Sequence, residues 1–402
     1  METAARLGNA GIVAGGLALS VPLFYSLAFE LSGPARPAAT GPGGAAEVAV
    51  FFNDPADWRL FRLGVDACDR RGVARVVESS DDAVVVETPT HRRRVRFTWR
   101  DESGLSRLKG AVSGLAGRPP LAVVGSDNTY WTAALAASMA TTFPEPSRGP
   151  ALLVPWATAV HVEGGRHLLD LYPGRTLRYA PDNLRQAAAV VAALRGAEGG
   201  VEPSAIFSAP GRDDPYSVDL DICFREAMGE GIKVAERPAG GDSAAWASAL
   251  WGEVRWLPEG RPAWLVLPLQ EEPARRLLGA LSSQARPEDR SRLRVLVADA
   301  VEPESLAEYA DRLAIWAARP SSTTAEGHDA LAPGEVVASL VHALDRADPP
   351  ADGVSLAACL RSIELPAVAG RVLSFDTAGE RRGLDLLGAP ASRPPAEPEP
   401  GR

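Results

Sequence analysis

The sequence predicts an α/β protein of two doubly wound lobes, each a parallel central sheet with helices on its faces. Two observations lead there. Short apolar runs alternate with amphipathic stretches along about 340 residues, the signature of strand–helix–strand units. The alternation falls into two sets in series, meeting near Arg178, and each set is large enough for its own sheet. Hydrophobic residues make up 46% of the 402 and charged residues 23%, so both sets can bury a core.

In the first set, Val48–Phe52 reads as a buried strand. Trp58, Phe61, Val65 and Cys68 follow at spacings of three, four and three, which is one face of a helix. Val95–Trp99 alternates as a strand, Leu105–Leu115 reads as a helix, and Leu121–Val124 is a strand leading through Gly125 into an alanine-rich helix. Leu152–Val154 is the next strand. The second set opens with Asp182 or Asn183 as the cap of a helix carrying Leu184, Ala188 and Val191 and closed by Gly196. Ala205–Phe207, Ile232–Ala235, Trp264–Leu267 and Arg294–Val297 read as its strands. Helices around Leu220–Ala227, Ala244–Leu250 and Glu272–Gln284 lie between them.

The ends differ from this body. Ala10–Phe29 is an uncharged run of the length that spans a bilayer as a helix, longer than the apolar part of most signal peptides. A signal anchor within residues 1–31 is the favoured reading, a cleaved signal peptide the alternative; either puts the rest outside the cytoplasm. Residues 32–46 form a Gly/Pro/Ala linker, and residues 389–402 a Pro-rich tail too poor in apolar residues to fold alone.

Lys and Arg number 42 against 51 Asp and Glu, a net charge of −9, which argues against a nucleic-acid surface. Cys68, Cys223 and Cys359 lie far apart with no CxxC, so neither a zinc knuckle nor a disulfide framework is indicated. No GxGxxG follows the first strand, no Walker lysine motif occurs, and no GxSxG marks a nucleophile elbow. Gly241-Asp242-Ser243 reads as a helix cap at Asp242 or Ser243. None of the five histidines pairs as HxxxH, and adjacent acids such as Asp213-Asp214 would diverge on a regular element. His91–Arg94 is the one basic run and reads as a solvated strand edge. The sequence therefore points to no enzyme, metal or cofactor. What stands out instead is two strand-end turns, Gly125–Thr129 and Trp156–Ala159, rich in small polar residues. In open α/β sheets ligands bind beyond such strand ends, where helix N-termini offer free N–H groups.

On these segments the chain resembles the type I periplasmic binding proteins, nearest to the branched-chain amino-acid substrate-binding proteins of ABC transporters and the related receptor ligand-binding regions. Pro120–Gly125, Ala151–Thr158, Leu177–Gln186, Ala205–Phe224 with its Asp214-Pro215-Tyr216-Ser217, Arg294–Ala300 and Gly370–Gly379 are similar to the family's segments in the family's order. The departures are a longer connection over Val73–Arg94, Ser217 where a glycine is usual, and the bulky Trp156.

The resemblance implies a body over residues 47–388 with three hinge crossings. Lobe one would comprise residues 47–178 and 312–362, lobe two residues 179–311 and 363–388. It implies capture of a small solute, an amino acid or similar carboxylate, with an ABC permease or envelope protein as partner. Ser126, Asn128, Thr129, Ala157 and Thr158 would surround the ligand carboxylate, with Trp58 walling the cleft. From lobe two Tyr216 would face them, and Asp299 would hold an ammonium unless it is only a cap or solvated loop acid. The alternative is a membrane-anchored scaffold of the same fold that binds a protein.

Overall fold

In β1 (Ala46–Phe52) the alternate residues Val48, Val50 and Phe52 enter one apolar core and Ala49 and Phe51 another, so this strand is covered on both faces. This computed structural model describes residues 44–390, apart from 102–103, 127, 230–232, 298–300, 302, 321–330, 367–371 and 383–385. The apolar run Ala10–Phe29 and residues 391–402 lie outside the described residues. Among the described residues no helix is long and apolar enough to cross a membrane.

Asp54 caps α1 (Pro55–Arg70) by accepting from the Ala56 amide, and Trp58, Phe61, Val65 and Cys68 form its buried face. The long connection after it is a hairpin of β2 (Arg75–Ser79) and β3 (Ala83–Glu87), which adds two antiparallel strands beside β4 (Arg94–Asp101). Then come α2 (Leu105–Gly114), β5 (Ala122–Gly125), α3 (Thr129–Thr142) and β6 (Ala151–Val154). A small hairpin, β7 (His161–Val162) and β8 (Arg166–His167), precedes β9 (Thr176–Arg178). The first sheet runs β2-β3-β4-β1-β5-β6-β9, parallel from β4 onward.

The second sheet takes the next helices and strands: α4 (Asn183–Ala197), β10 (Ile206–Ser208), α5 (Pro215–Met228), β11 (Val234–Glu236) and α6 (Ser243–Trp256). After these come β12 (Ala263–Val266), α7 (Glu271–Gln284), β13 (Leu293–Val297), α8 (Pro303–Ala307) and β14 (Ala314–Pro320). The chain then returns to the first core with α9 (Leu331–Leu344), α10 (Gly353–Ser362), β15 (Leu365–Pro366) and β16 (Val372–Phe375). After β17 (Arg381–Arg382) it ends the second sheet with β18 (Leu386–Pro390), antiparallel to β14. That sheet runs β11-β10-β12-β13-β14-β18. The chain thus passes between the two sheets three times.

Five expectations need correction. Residues 312–320, expected in the first lobe, add β14 to the second sheet, because its backbone pairs with β13. Residues 363–366 and 372–375, expected in the second, bury Ile363, Leu365, Leu373 and Phe375 in the first core. The buried stripe of α4 is Asn183, Gln186, Ala187, Val190, Val191 and Leu194, while Ala188 is exposed. Hydropathy misses this phase because Asn183 and Gln186 are buried as hydrogen-bonding groups, to Asp219 and to the Pro181 carbonyl. The run His91–Arg94 closes over the end of α9: the Thr90 and His91 amides donate to the Asp345 carboxylate, and the Arg93 guanidinium donates to the Leu344, Arg346 and Ala347 carbonyls. Burial would raise the Asp345 pKa, but these donors outweigh it and hold the carboxyl well below the usual range. β18 also carries order through Ala389 and Pro390, where the tail was expected to begin.

Candidate functional site

Three chain segments converge through hydrogen bonds between the loop after β6 and the helices α3 and α5. The first is the turn after β5. A Cβ on Gly125 would stand 2.7 Å from the Phe51 carbonyl oxygen, so the tight exit from β5 demands glycine. Asn128 then caps α3 by accepting from the Trp131 amide at 3.0 Å, and the Ser126 amide donates to the Thr132 hydroxyl at 3.0 Å. The second is the segment after β6, in which Ala157 and Thr158 are buried and the Ala159 amide approaches the Thr129 hydroxyl at 3.4 Å. These contacts bring Ser126, Asn128, Thr129, Ala157 and Thr158 into one neighbourhood.

The third segment is the start of α5. Asp214 caps it by accepting from the Tyr216 amide, and Pro215 takes the first helical position, where no N–H is needed. Tyr216, expected to face a ligand, is instead buried in the core between α4, α5 and the second sheet, because its place on α5 turns it toward Leu220 and Phe224. The Ser217 hydroxyl accepts from the Gly211 amide at 2.6 Å and donates to the Pro268 carbonyl. It ties the turn before α5 to the exit of β12, which a glycine could not do.

One residue that sequence reasoning missed joins these segments. Asp219, on the second turn of α5 and 2% exposed, accepts from the Val160 amide at 2.9 Å, the His161 amide at 2.8 Å and Asn183 Nδ2 at 2.9 Å. His161 Nδ1 stands 3.1 Å away. The buried carboxylate is therefore well supplied with donors, and it links the loop after β6 to α4 and α5. Burial, followed by the Asp219 charge, pushes the neighbouring Cys223 thiol pKa up, which leaves it an unreactive core group. No sequence pattern marks Asp219, since its partners are 36, 58 and 59 residues away.

The passages between the sheets are held by buried ion pairs. Arg178, fully buried at the end of β9, donates to the Glu380 carboxylate through Nε and Nη2 and to the Ala159 carbonyl through Nη1. Arg381 pairs with Glu335 on α9 at 2.6 Å and donates to the Tyr179 carbonyl. Burial pushes the Glu335 carboxyl up to about 7, with Arg381 opposing the rise.

One expected position falls outside this arrangement. Trp58 does not wall a cleft: it is 3% exposed, stacks against Phe61 and Trp99, and donates its indole N–H to the Asp81 carbonyl at 2.7 Å. Its three- and four-residue spacing with Phe61 and Val65 turns it into the first core. Asp299 lies outside the described residues. Beside the junction, a groove of about 1000 Å³ runs between α3, the β7–β8 hairpin and α5, with α2 along one rim.

No protein-family model and no curated protein sequence matches the chain. Solved structures do. An ABC transporter substrate-binding protein from Desulfitobacterium hafniense in complex with Leu is similar at TM-score 0.61 and 16% identity, over 86% of this chain and 97% of that one. The branched-chain amino acid transporter substrate-binding protein of Streptococcus pneumoniae, in complex with isoleucine, is similar at TM-score 0.58 and 12% identity, over 86% and 99%. A solute-binding protein of an R. palustris ABC transporter, in complex with 4-hydroxybenzoate, is similar at TM-score 0.60 and 14% identity, over 85% and 92%. All three are substrate- or solute-binding proteins. This chain has the fold of the type I periplasmic binding proteins.

Proposed function

We propose that the protein captures a small carboxylate, an amino acid or an aromatic acid, between its two lobes outside the cytoplasm, and presents it to an ABC permease or a sensor. The observation that carries this reading is the meeting of the Asn128-capped N-terminus of α3, the 157–161 loop and the N-terminus of α5 at one junction. Free N–H groups and the helix dipole at such N-termini favour an anion. Leu, isoleucine and 4-hydroxybenzoate, the ligands of the similar proteins, have a carboxylate in common. In this reading Ser126, Asn128, Thr129 and Thr158 supply donors to the carboxylate, and Asp299 holds an ammonium where the ligand has one. Ala10–Phe29 then tethers or exports the body.

The test is a thermal-shift screen of the full chain against amino acids, benzoates and other small acids. A ligand at about 100 times its Kd should add about 2.7 kcal/mol. Thr158→Ala should weaken it roughly 10- to 150-fold, the worth of one hydrogen bond to a charged group. Asp299→Ala should weaken only ligands that carry an amine. No stabilisation by any acid, or Thr158→Ala without effect on a ligand found, overturns the reading. The second reading, a scaffold that binds a protein, draws on Asp219: the junction is bonded across by the protein's own groups.

A further inference from the structure

The groove between α3 and α5 has a chemistry of its own. Among the described residues, eight large apolar side chains stand out as exposed, and four of them line this groove: Leu105, Tyr130, Val218 and Ile222. Val218 and Ile222 stand one turn apart on α5 and form a ridge, while Ala133 and Ala137 leave the facing side of α3 low and smooth. Scattered apolar residues on a surface need no explanation, but a concentration in one concavity marks a binding face. The lining extends from Thr129 to Thr142, the full length of α3, or about 20 Å at 1.5 Å per residue. A single amino acid cannot fill that length, whereas four turns of helix do.

The charge on the rim selects the partner. Lys109 and Arg166 line the groove without an ion pair among the described residues, whereas Arg212 stands 3.9 Å from Glu236; the lining acids are the exposed Asp213 and the buried Asp219. Lys109 and Arg166 thus offer unpaired positive charge at the groove, on a chain of net charge −9. A second copy docking through the same groove about a two-fold axis would set these cations against themselves. The tail 391–402, with Pro394, Pro395, Pro398 and Pro400, cannot supply a helix. We propose that the groove between α3 and α5 is a docking face for an acidic amphipathic helix of a partner protein, apolar on the side that meets Val218 and Ile222. The groove adjoins the turns proposed to hold a solute and shares Thr129 with them, but Lys109, Arg166, Val218 and Ile222 belong to the groove alone, so variants at these four positions test this proposal apart from that reading.

The experiment uses the full chain and three synthetic fifteen-residue helices that share a Leu/Ala face and carry Glu, Gln or Lys on the remaining positions. Binding is read by fluorescence anisotropy at two salt concentrations. The Glu helix should bind at least about tenfold more tightly than the Lys helix and weaken as salt rises. Ile222→Glu, and separately Val218→Glu, should weaken it about tenfold or more. The pair Lys109→Glu and Arg166→Glu should reverse the preference between the Glu and Lys helices. All four positions are exposed, and circular dichroism confirms that the fold is kept. Equal binding of the three helices, or indifference to Ile222→Glu and Val218→Glu, overturns the proposal. So does self-association of the chain that Ile222→Glu abolishes, which gives the groove to a second copy. Saturable binding of decanoate without binding of any helix gives it to a small amphiphile and also overturns the proposal.

Discussion

Asp219 shows how one side chain can hold a junction assembled from distant segments. Its carboxylate meets two backbone amides of the loop after β6 and the Asn183 side chain, all in a buried setting. Asp219→Ala would leave those donors buried and unmet, at a cost of about 2 kcal/mol or more in urea unfolding. Asp213→Ala, six residues earlier and exposed, should stay within about 0.5 kcal/mol. Equal effects would mean the donors find water instead. Glu335 makes a different prediction. Its folded pKa of about 7 lies above its ordinary 4.5, so the native state binds the proton more tightly than the unfolded chain. Its contribution to stability is therefore full below pH 4.5 and falls away as pH rises through 7. The stability of the protein minus that of Glu335→Gln should decline across this interval and level off above it; a difference that is flat with pH would remove Glu335 as the titrating group.

At the scale of elements, the helix starts are the most legible features. Asp54, Asn128, Asp182, Asp214, Asp242 and Asp352 each accept from an amide in the first turn, the local bond that makes these residues caps in any fold. Gly64, inside α1, is legible only from the structure. A Cβ there would lie 2.6 Å from the Gly334 nitrogen and 2.9 Å from Pro333 Cβ, where α9 crosses, and one turn on Cys68 Sγ donates to the Gly334 carbonyl. Alanine is worth about 1 kcal/mol more than glycine in a helix interior, yet overpacking costs about 1–3 kcal/mol. Gly64→Ala should therefore destabilise the protein in a denaturation series. A stabilised variant would show that the helices can separate at no cost.

Over the whole molecule, the ion pair of Arg178 and Glu380 ties the last strand of the first sheet to the segment that enters the second. Glu380→Ala leaves a fully buried guanidinium uncompensated and should cost about 3–5 kcal/mol. Arg178→Met with Glu380→Leu should recover most of that loss, because the desolvation penalty goes with the charges. If the double variant is as unstable as the single one, the pair matters for its geometry and not for charge balance.

The residues by themselves determined the alternation of strand and helix, the caps at Asp182 and Asp242 and the buried face of α1, because these follow from local hydrogen bonds and from the periods of 2 and 3.6. They also determined the resemblance that pointed to a two-lobed binding protein, and with it the small polar turns around Asn128 and Thr158. Only the tertiary structure decided which lobe receives β14 and residues 363–366 and 372–375, since sheet membership depends on pairing between strands far apart in sequence. Only it placed Trp58 in a core, turned the basic run onto the end of α9, and brought Asp219 to Val160 and Asn183. Each of those outcomes rests on a contact across tens to hundreds of residues, and a buried polar group is told from a surface one only by the partners that folding brings to it.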